Sequence, residues 1–81
     1  MSNYYIPCQI APGVWHIYEP ANVYSTLIVG KERALLIDTG YGYGNLREIT
    51  ASLTDLPLTV VNSHGHFDHA GGNYQFDCVY I

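Results

Sequence analysis

Alternating apolar and polar positions from Val14 to Tyr18 predict a short strand, with Val14, His16 and Tyr18 on one face and Trp15 and Ile17 on the other. Glu19-Pro20-Ala21-Asn22 reads as a turn, because Pro20 fixes its own φ and drives Glu19 towards extended geometry. Val23 to Val29, rich in β-branched and aromatic residues, predicts a second strand, and the charged run Gly30-Lys31-Glu32-Arg33 a hairpin turn. Ala34 to Ile37 is continuously apolar, which predicts a third strand covered on both faces. Beyond Asp38-Thr39-Gly40 and a Gly/Tyr loop at 41–44, Asn45 stands at an N-cap with Glu48 three residues on. Leu46, Ile49 and Leu53 then recur at helical spacing, and Asp55 and Pro57 end that helix. Leu58 to Asn62 predicts a fourth strand and Cys78 to Ile81 a fifth, with one short helical turn between them after Gly71-Gly72-Asn73. Residues 1–13, interrupted by Pro7, Pro12 and Gly13, read as an irregular or edge lead-in. A strand hairpin followed by strand–helix–strand units gives a mixed α/β (α+β) class, mainly an antiparallel or mixed sheet with one or two helices.

Composition narrows this. With 81 residues the chain forms at most one small domain, and its 12% charged residues fall well below the quarter or so usual for globular chains. Apolar surface in excess of what so short a chain buries points to contacts beyond it. A net charge of −4 with only three basic residues excludes a phosphate-binding basic patch, so no nucleic-acid partner is expected. Cys8 and Cys78 lie far apart in sequence and read as reduced thiols, whose pairing the sequence leaves open. No apolar run approaches the ~18 residues of a membrane span, and the first residues show no signal-peptide pattern. No membrane partner and a cytoplasmic location are the resulting expectations.

One segment concentrates the chemistry. Of four histidines, three fall with an aspartate in His64-Gly65-His66-Phe67-Asp68-His69, directly after the fourth strand and just before Gly71-Gly72. Extended backbone leaving that strand would point His64 and His66 the same way, with Gly65 leaving room between them. Two imidazoles make half of a tetrahedral zinc site, and Asp68 and His69 offer an oxygen and a third imidazole to a second position. Two ions could clamp an activated water for hydrolysis; with one ion, Asp68 could act as general base. Isolated histidines are usually surface or capping residues, and His16, beside Trp15 and Tyr18, reads as a packing residue. Tyr24, Tyr41 and Tyr43 could line a groove, although strand and interface packing accounts for them more simply. Gly40 to Gly44 lacks the lysine of a phosphate loop.

His64-x-His66-x-Asp68-His69, with Gly71-Gly72 after it and Asp38-Thr39-Gly40 before it, resembles the metallo-β-lactamase superfamily. The strand order and both motifs match the N-terminal half of that domain over essentially the whole chain. The resemblance implies half of an αββα sandwich, with His64 and His66 on one metal ion and Asp68 and His69 on a second. Zinc is the expected ion, one or two per site, with iron or manganese as alternatives. It also implies that Asp38 lies beneath the ligands and holds their loop by hydrogen bonds; the plainer alternative for Asp38 is a strand-ending turn residue. Flavo-diiron members of the superfamily carry a glutamate where His66 stands, which disfavours that branch. The cluster is similar to those of glyoxalase II-like thioesterases and lactonases without separating them, so the expected substrate is a small-molecule ester, thioester, lactone or amide.

Ligand counting sets the last expectation. A catalytic zinc usually keeps three protein ligands and a water, whereas this chain offers two donors to each position. In the resembled family the remaining ligands come from later loops. Residues 1–81 are therefore expected to form a partial metallo-hydrolase domain, inactive or weak alone, with one apolar sheet face left to a homo-oligomeric contact or to a missing C-terminal half. The alternative is a non-catalytic, metal-binding, self-associating fragment.

Overall fold

The structure, a computed structural model, describes residues 4–20, 23–41, 44–63, 71–76 and 79–80. Its strands are β1 (Ile6–Ala11), β2 (Val14–Tyr18), β3 (Tyr24–Val29), β4 (Ala34–Ile37), β5 (Leu58–Val61) and β6 (Val79–Tyr80); among the described residues there is one α-helix, α1 (Leu46–Leu53), between β4 and β5, and the expected short helical turn, a 3-10 helix at Asn73–Gln75, between β5 and β6. The strands form a single six-stranded sheet in the order β1-β2-β3-β4-β5-β6. The pairs from β1 to β4 are antiparallel; β4 with β5 and β5 with β6 are parallel. This is the mixed sheet the sequence predicts. A parallel neighbour cannot be reached by a tight turn, and α1 supplies the necessary crossover between β4 and β5.

Of the irregular and edge readings of the lead-in, the structure takes the edge one. Ile6–Ala11 is a strand paired with β2, reached by a tight turn at Pro12-Gly13, where Gly13 takes φ +73°. Pro7 is tolerated because β1 is an edge strand, and Pro12 because it lies in the turn that follows. The β3–β4 hairpin closes where expected, with the Gly30 N–H donating to the Arg33 carbonyl at 2.9 Å. The helix also starts where expected: the Asn45 side chain accepts from the Glu48 N–H at 3.0 Å.

Register places Trp15, Ile17, Leu27, Ala34, Leu36 and Val60 on one face. Helix α1 covers that face: Leu46 is fully buried and Ile49 and Leu53 pack on the same cluster. The opposite face carries Ile6, Val14, Tyr24, Ile28, Leu35, Ile37, Val61 and Tyr80, and among its described strand positions none is Lys, Arg, Asp or Glu. Ile6, Tyr24, Ile28 and Tyr80 are exposed on it. One correction follows from this. β4 is covered on one face only, with Ala34 and Leu36 buried and Leu35 and Ile37 half-buried. Its apolar run therefore marks a strand whose second face has no cover among the described residues.

The asymmetry is testable. Leu36→Ala removes a fully buried side chain between helix and sheet and is expected to cost about 2–5 kcal/mol in urea denaturation. Leu35→Ala on the open face should cost less than half as much.

Candidate metal centre

Parallel pairing of β4 and β5 sets Ile37 opposite Val61, so both strands deliver their next residues to one end of the sheet. Carboxyl ends of parallel strands are where α/β sheets carry their ligand sites. Asp38 follows β4 and Asn62-Ser63 follow β5. Asp38 is buried and adopts φ +68°, in the left-handed region that Asp and Asn enter more readily than other side chains. That twist turns its carboxylate onto the neighbouring strand end. Oδ1 accepts the Ser63 N–H at 2.6 Å and Oδ2 accepts the Ser63 hydroxyl at 2.9 Å. The residue held this way immediately precedes His64.

Residues 71–73 are held by the same turn. The Gly71 N–H donates to the Gly40 carbonyl at 2.7 Å, and the Gly72 N–H to the Thr39 hydroxyl at 3.1 Å. Thr39, fully buried, donates its own hydroxyl to Asn73 Oδ1 at 2.7 Å. Gly72 lies so close to the Thr39 backbone that any Cβ there would overlap the Thr39 carbonyl. Asn62 and Asn73 then bond one another across the two chain ends: Asn73 Nδ2 donates to Asn62 Oδ1 at 2.7 Å and Asn62 Nδ2 to Asn73 Oδ1 at 3.2 Å. Asp38-Thr39-Gly40 thus ties down Ser63 on one side of segment 64–70 and Gly71-Gly72-Asn73 on the other.

His64, His66, Asp68 and His69 lie outside the described residues. Their donor chemistry fits a zinc-type ion: three imidazole nitrogens and a carboxylate within six positions, between two hydrogen-bonded anchors. Among the described residues no three His, Cys, Asp or Glu side chains come together. His16 sits on the open sheet face, where its Nδ1 is 3.2 Å from the Tyr18 hydroxyl and its ring lies 4.4 Å from that of Tyr24. That accounts for His16 and Tyr24 as packing partners. Tyr43 lies outside the described residues, as does Cys78; Cys8 is exposed on β1 with a free thiol.

One side chain beside this turn has no counterpart in the sequence reading. Glu19, assigned there only to a turn, is 5% exposed. Its Oε1 accepts the Tyr4 hydroxyl at 2.9 Å and its Oε2 the Tyr41 N–H at 3.2 Å. Gly40, at φ +66°, lies against the carboxylate so closely that a Cβ would coincide with Oε2. Burial pushes Glu19 above its ordinary 4.5, and the two donated hydrogen bonds pull it partly back. Burial, followed by the nearby Glu19 charge, also raises the Tyr5 hydroxyl. Thr39, Asn62 and Asn73 were likewise missed. Their only sequence signal is position, as small polar residues flanking the strand ends on either side of the histidine segment.

A family model described as the metallo-beta-lactamase superfamily matches residues 18–77. The human protein named acyl-coenzyme A thioesterase MBLAC2 is 38% identical over 73 residues, an alignment covering 75% of this chain and 25% of that protein. Among solved structures, a metallo beta lactamase from Erythrobacter litoralis superposes with a TM-score of 0.72 at 23% identity, over 93% of this chain and 38% of that one. An NDM_FIM-1 like metallo-beta-lactamase from the same organism, described in its mono-zinc form, gives 0.70 at 22%, over 90% and 40%. The chain thus spans about a quarter of the length of its curated relative.

The raised Glu19 carboxyl has a defined pH signature. Folded protein holds a proton at Glu19 to higher pH than unfolded chain does, so this group favours the folded state on acidification. Its contribution is lost as pH rises from 4.5 through the raised folded value. Urea midpoints across that interval are expected to fall with rising pH more steeply in the wild type than in Glu19→Gln.

Proposed function

The chain belongs to the metallo-beta-lactamase superfamily, and from that premise we propose that His64, His66, Asp68 and His69 form a metal centre serving thioester hydrolysis on a small-molecule substrate. The observation that carries the proposal is the placement of this donor-rich segment between two anchors at the carboxyl ends of β4 and β5. His64 and His66 would hold one ion, and Asp68 and His69 a second; zinc fits the donor set best, with iron or manganese as alternatives. When bound, the ion supplies Lewis acidity and lowers the pKa of a water. The chain's own residues do the rest. Asp68 stands as ligand or as proton acceptor from that water. Asp38 fixes Ser63, and with it the direction in which the backbone enters the ligand segment.

The choice of thioester within the hydrolase class draws on the relative named as an acyl-coenzyme A thioesterase. An exposed free thiol at Cys8 suits a reducing compartment, so we assign the chain to the cytoplasm. No described helix is long and apolar enough to cross a membrane. The donor count favours a second reading. Two donors per ion fall short of the three usual in catalytic zinc sites, so this polypeptide would bind metal without turnover unless further ligands join it.

Two measurements separate these readings. Under the first reading, equilibrium dialysis with zinc gives one or two tightly held ions per chain and an acyl-CoA substrate is hydrolysed, if weakly, with turnover abolished by Asp68→Ala and by chelation. Metal binding without turnover would leave the second reading; no metal binding would overturn both. For Asp38, Asn keeps the left-handed backbone but removes the charge, so Asp38→Asn is expected to weaken zinc affinity by about 10–100-fold. Circular dichroism of this variant should retain the sheet signal.

A further inference from the structure

The Glu19 carboxylate touches the turn that anchors the histidine segment without belonging to either strand end. It arrives from the far side, at the end of β2, and its two oxygens are divided between Tyr4 and Tyr41. Three consecutive features of the turn depend on that arrangement. The Tyr41 N–H has Glu19 Oε2 as its acceptor. Gly40 can hold φ +66° against the carboxylate only because it lacks a Cβ. With Gly40 fixed, its carbonyl points at the Gly71 N–H, 2.7 Å away. Tyr4 holds the opposite oxygen, and its ring meets that of Tyr5 edge-on at 4.9 Å and 87°. A buried carboxylate is costly to keep unless it is hydrogen-bonded, and a hydrophobic residue here would leave the Tyr41 N–H without that acceptor.

We propose that Glu19 is a positioning residue for the histidine segment, fixing the Gly40-Tyr41 turn and through the Gly40 carbonyl the point at which the chain leaves that segment at Gly71. Asp38 sets the entry to the segment and Glu19 the exit. The consequence for metal affinity rests on the metal-centre reading above; the effect on Gly71 does not.

Amide exchange followed by NMR on the whole metal-free chain tests the linkage. In Glu19→Ala the Gly71 and Tyr41 amides are expected to exchange at least roughly tenfold faster, while amides paired between β3 and β4 keep wild-type rates. Glu19→Gln, whose amide oxygen can still accept from Tyr41, should restore most of the protection. Tyr4→Phe, which removes one bond and no backbone anchor, provides a milder perturbation if the alanine variant fails to fold; it should raise Gly71 exchange by a smaller factor. Unchanged Gly71 exchange in Glu19→Gln, Glu19→Ala and Tyr4→Phe alike would overturn the proposal. Cobalt(II) titration adds a readout that a merely stabilising residue would not move. The visible ligand-field bands should shift and the affinity drop roughly tenfold in Glu19→Ala, and unaltered bands and affinity would overturn a positioning role. If the wild type takes up no cobalt, the metal-centre reading fails, and the Gly71 amide alone decides for or against Glu19.

Discussion

The turn Asp38-Thr39-Gly40 is the constraint on which the candidate site depends. Three residues in sequence contact four on the other side of the histidine segment's ends, namely Ser63, Gly71, Gly72 and Asn73. Each contact is a hydrogen bond made in a largely buried setting, where an unmade partner costs about 1–3 kcal/mol. The arrangement is therefore cooperative: displacing Thr39 would take the hydroxyl acceptor from the Gly72 N–H and one of two donors from Asn73 Oδ1 at the same time. The left-handed Asp38 costs roughly 1 kcal/mol of backbone strain, which its two charge-assisted bonds to Ser63 offset.

The sheet makes that turn possible. β4 and β5 run parallel, so their carboxyl ends lie side by side, and the crossover that joins them carries α1. Burial beneath α1 fixes the register. A slip of β5 by one residue against β4 would carry Val60 out of the core and would separate Asp38 from Ser63. Stability and site geometry are thus set by the same pairing. The described hydrogen bonds that hold the turn come from the strand ends and from Glu19, not from side chains of the other sheet face.

Glu19 widens the constraint to the antiparallel half of the sheet. Through it the end of β2 and the residues before β1 bear on the same turn as β4 and β5. A carboxylate placed there serves as a rigid double acceptor, a role that neither a water nor an aliphatic side chain fills with the same fixed geometry.

Much of this molecule was legible in the order of its residues. Short-range periodicity placed five of the six strands and the helix with its Asn45 cap, because strand alternation and capping are local properties. The histidine cluster declared its donor chemistry by composition alone, and the Asp-Thr-Gly turn by its place after a strand. β1 stayed between an irregular and an edge reading, because whether Pro7 sits on an edge strand is a matter of pairing. The single cover on β4 was equally hidden, since an apolar run does not say which of its faces is met. Glu19, Thr39, Asn62 and Asn73 took on their roles only in three dimensions: a polar residue's sequence gives its hydrogen-bonding capacity, but its partners, 11 to 34 positions away, are chosen by the sheet that brings them together.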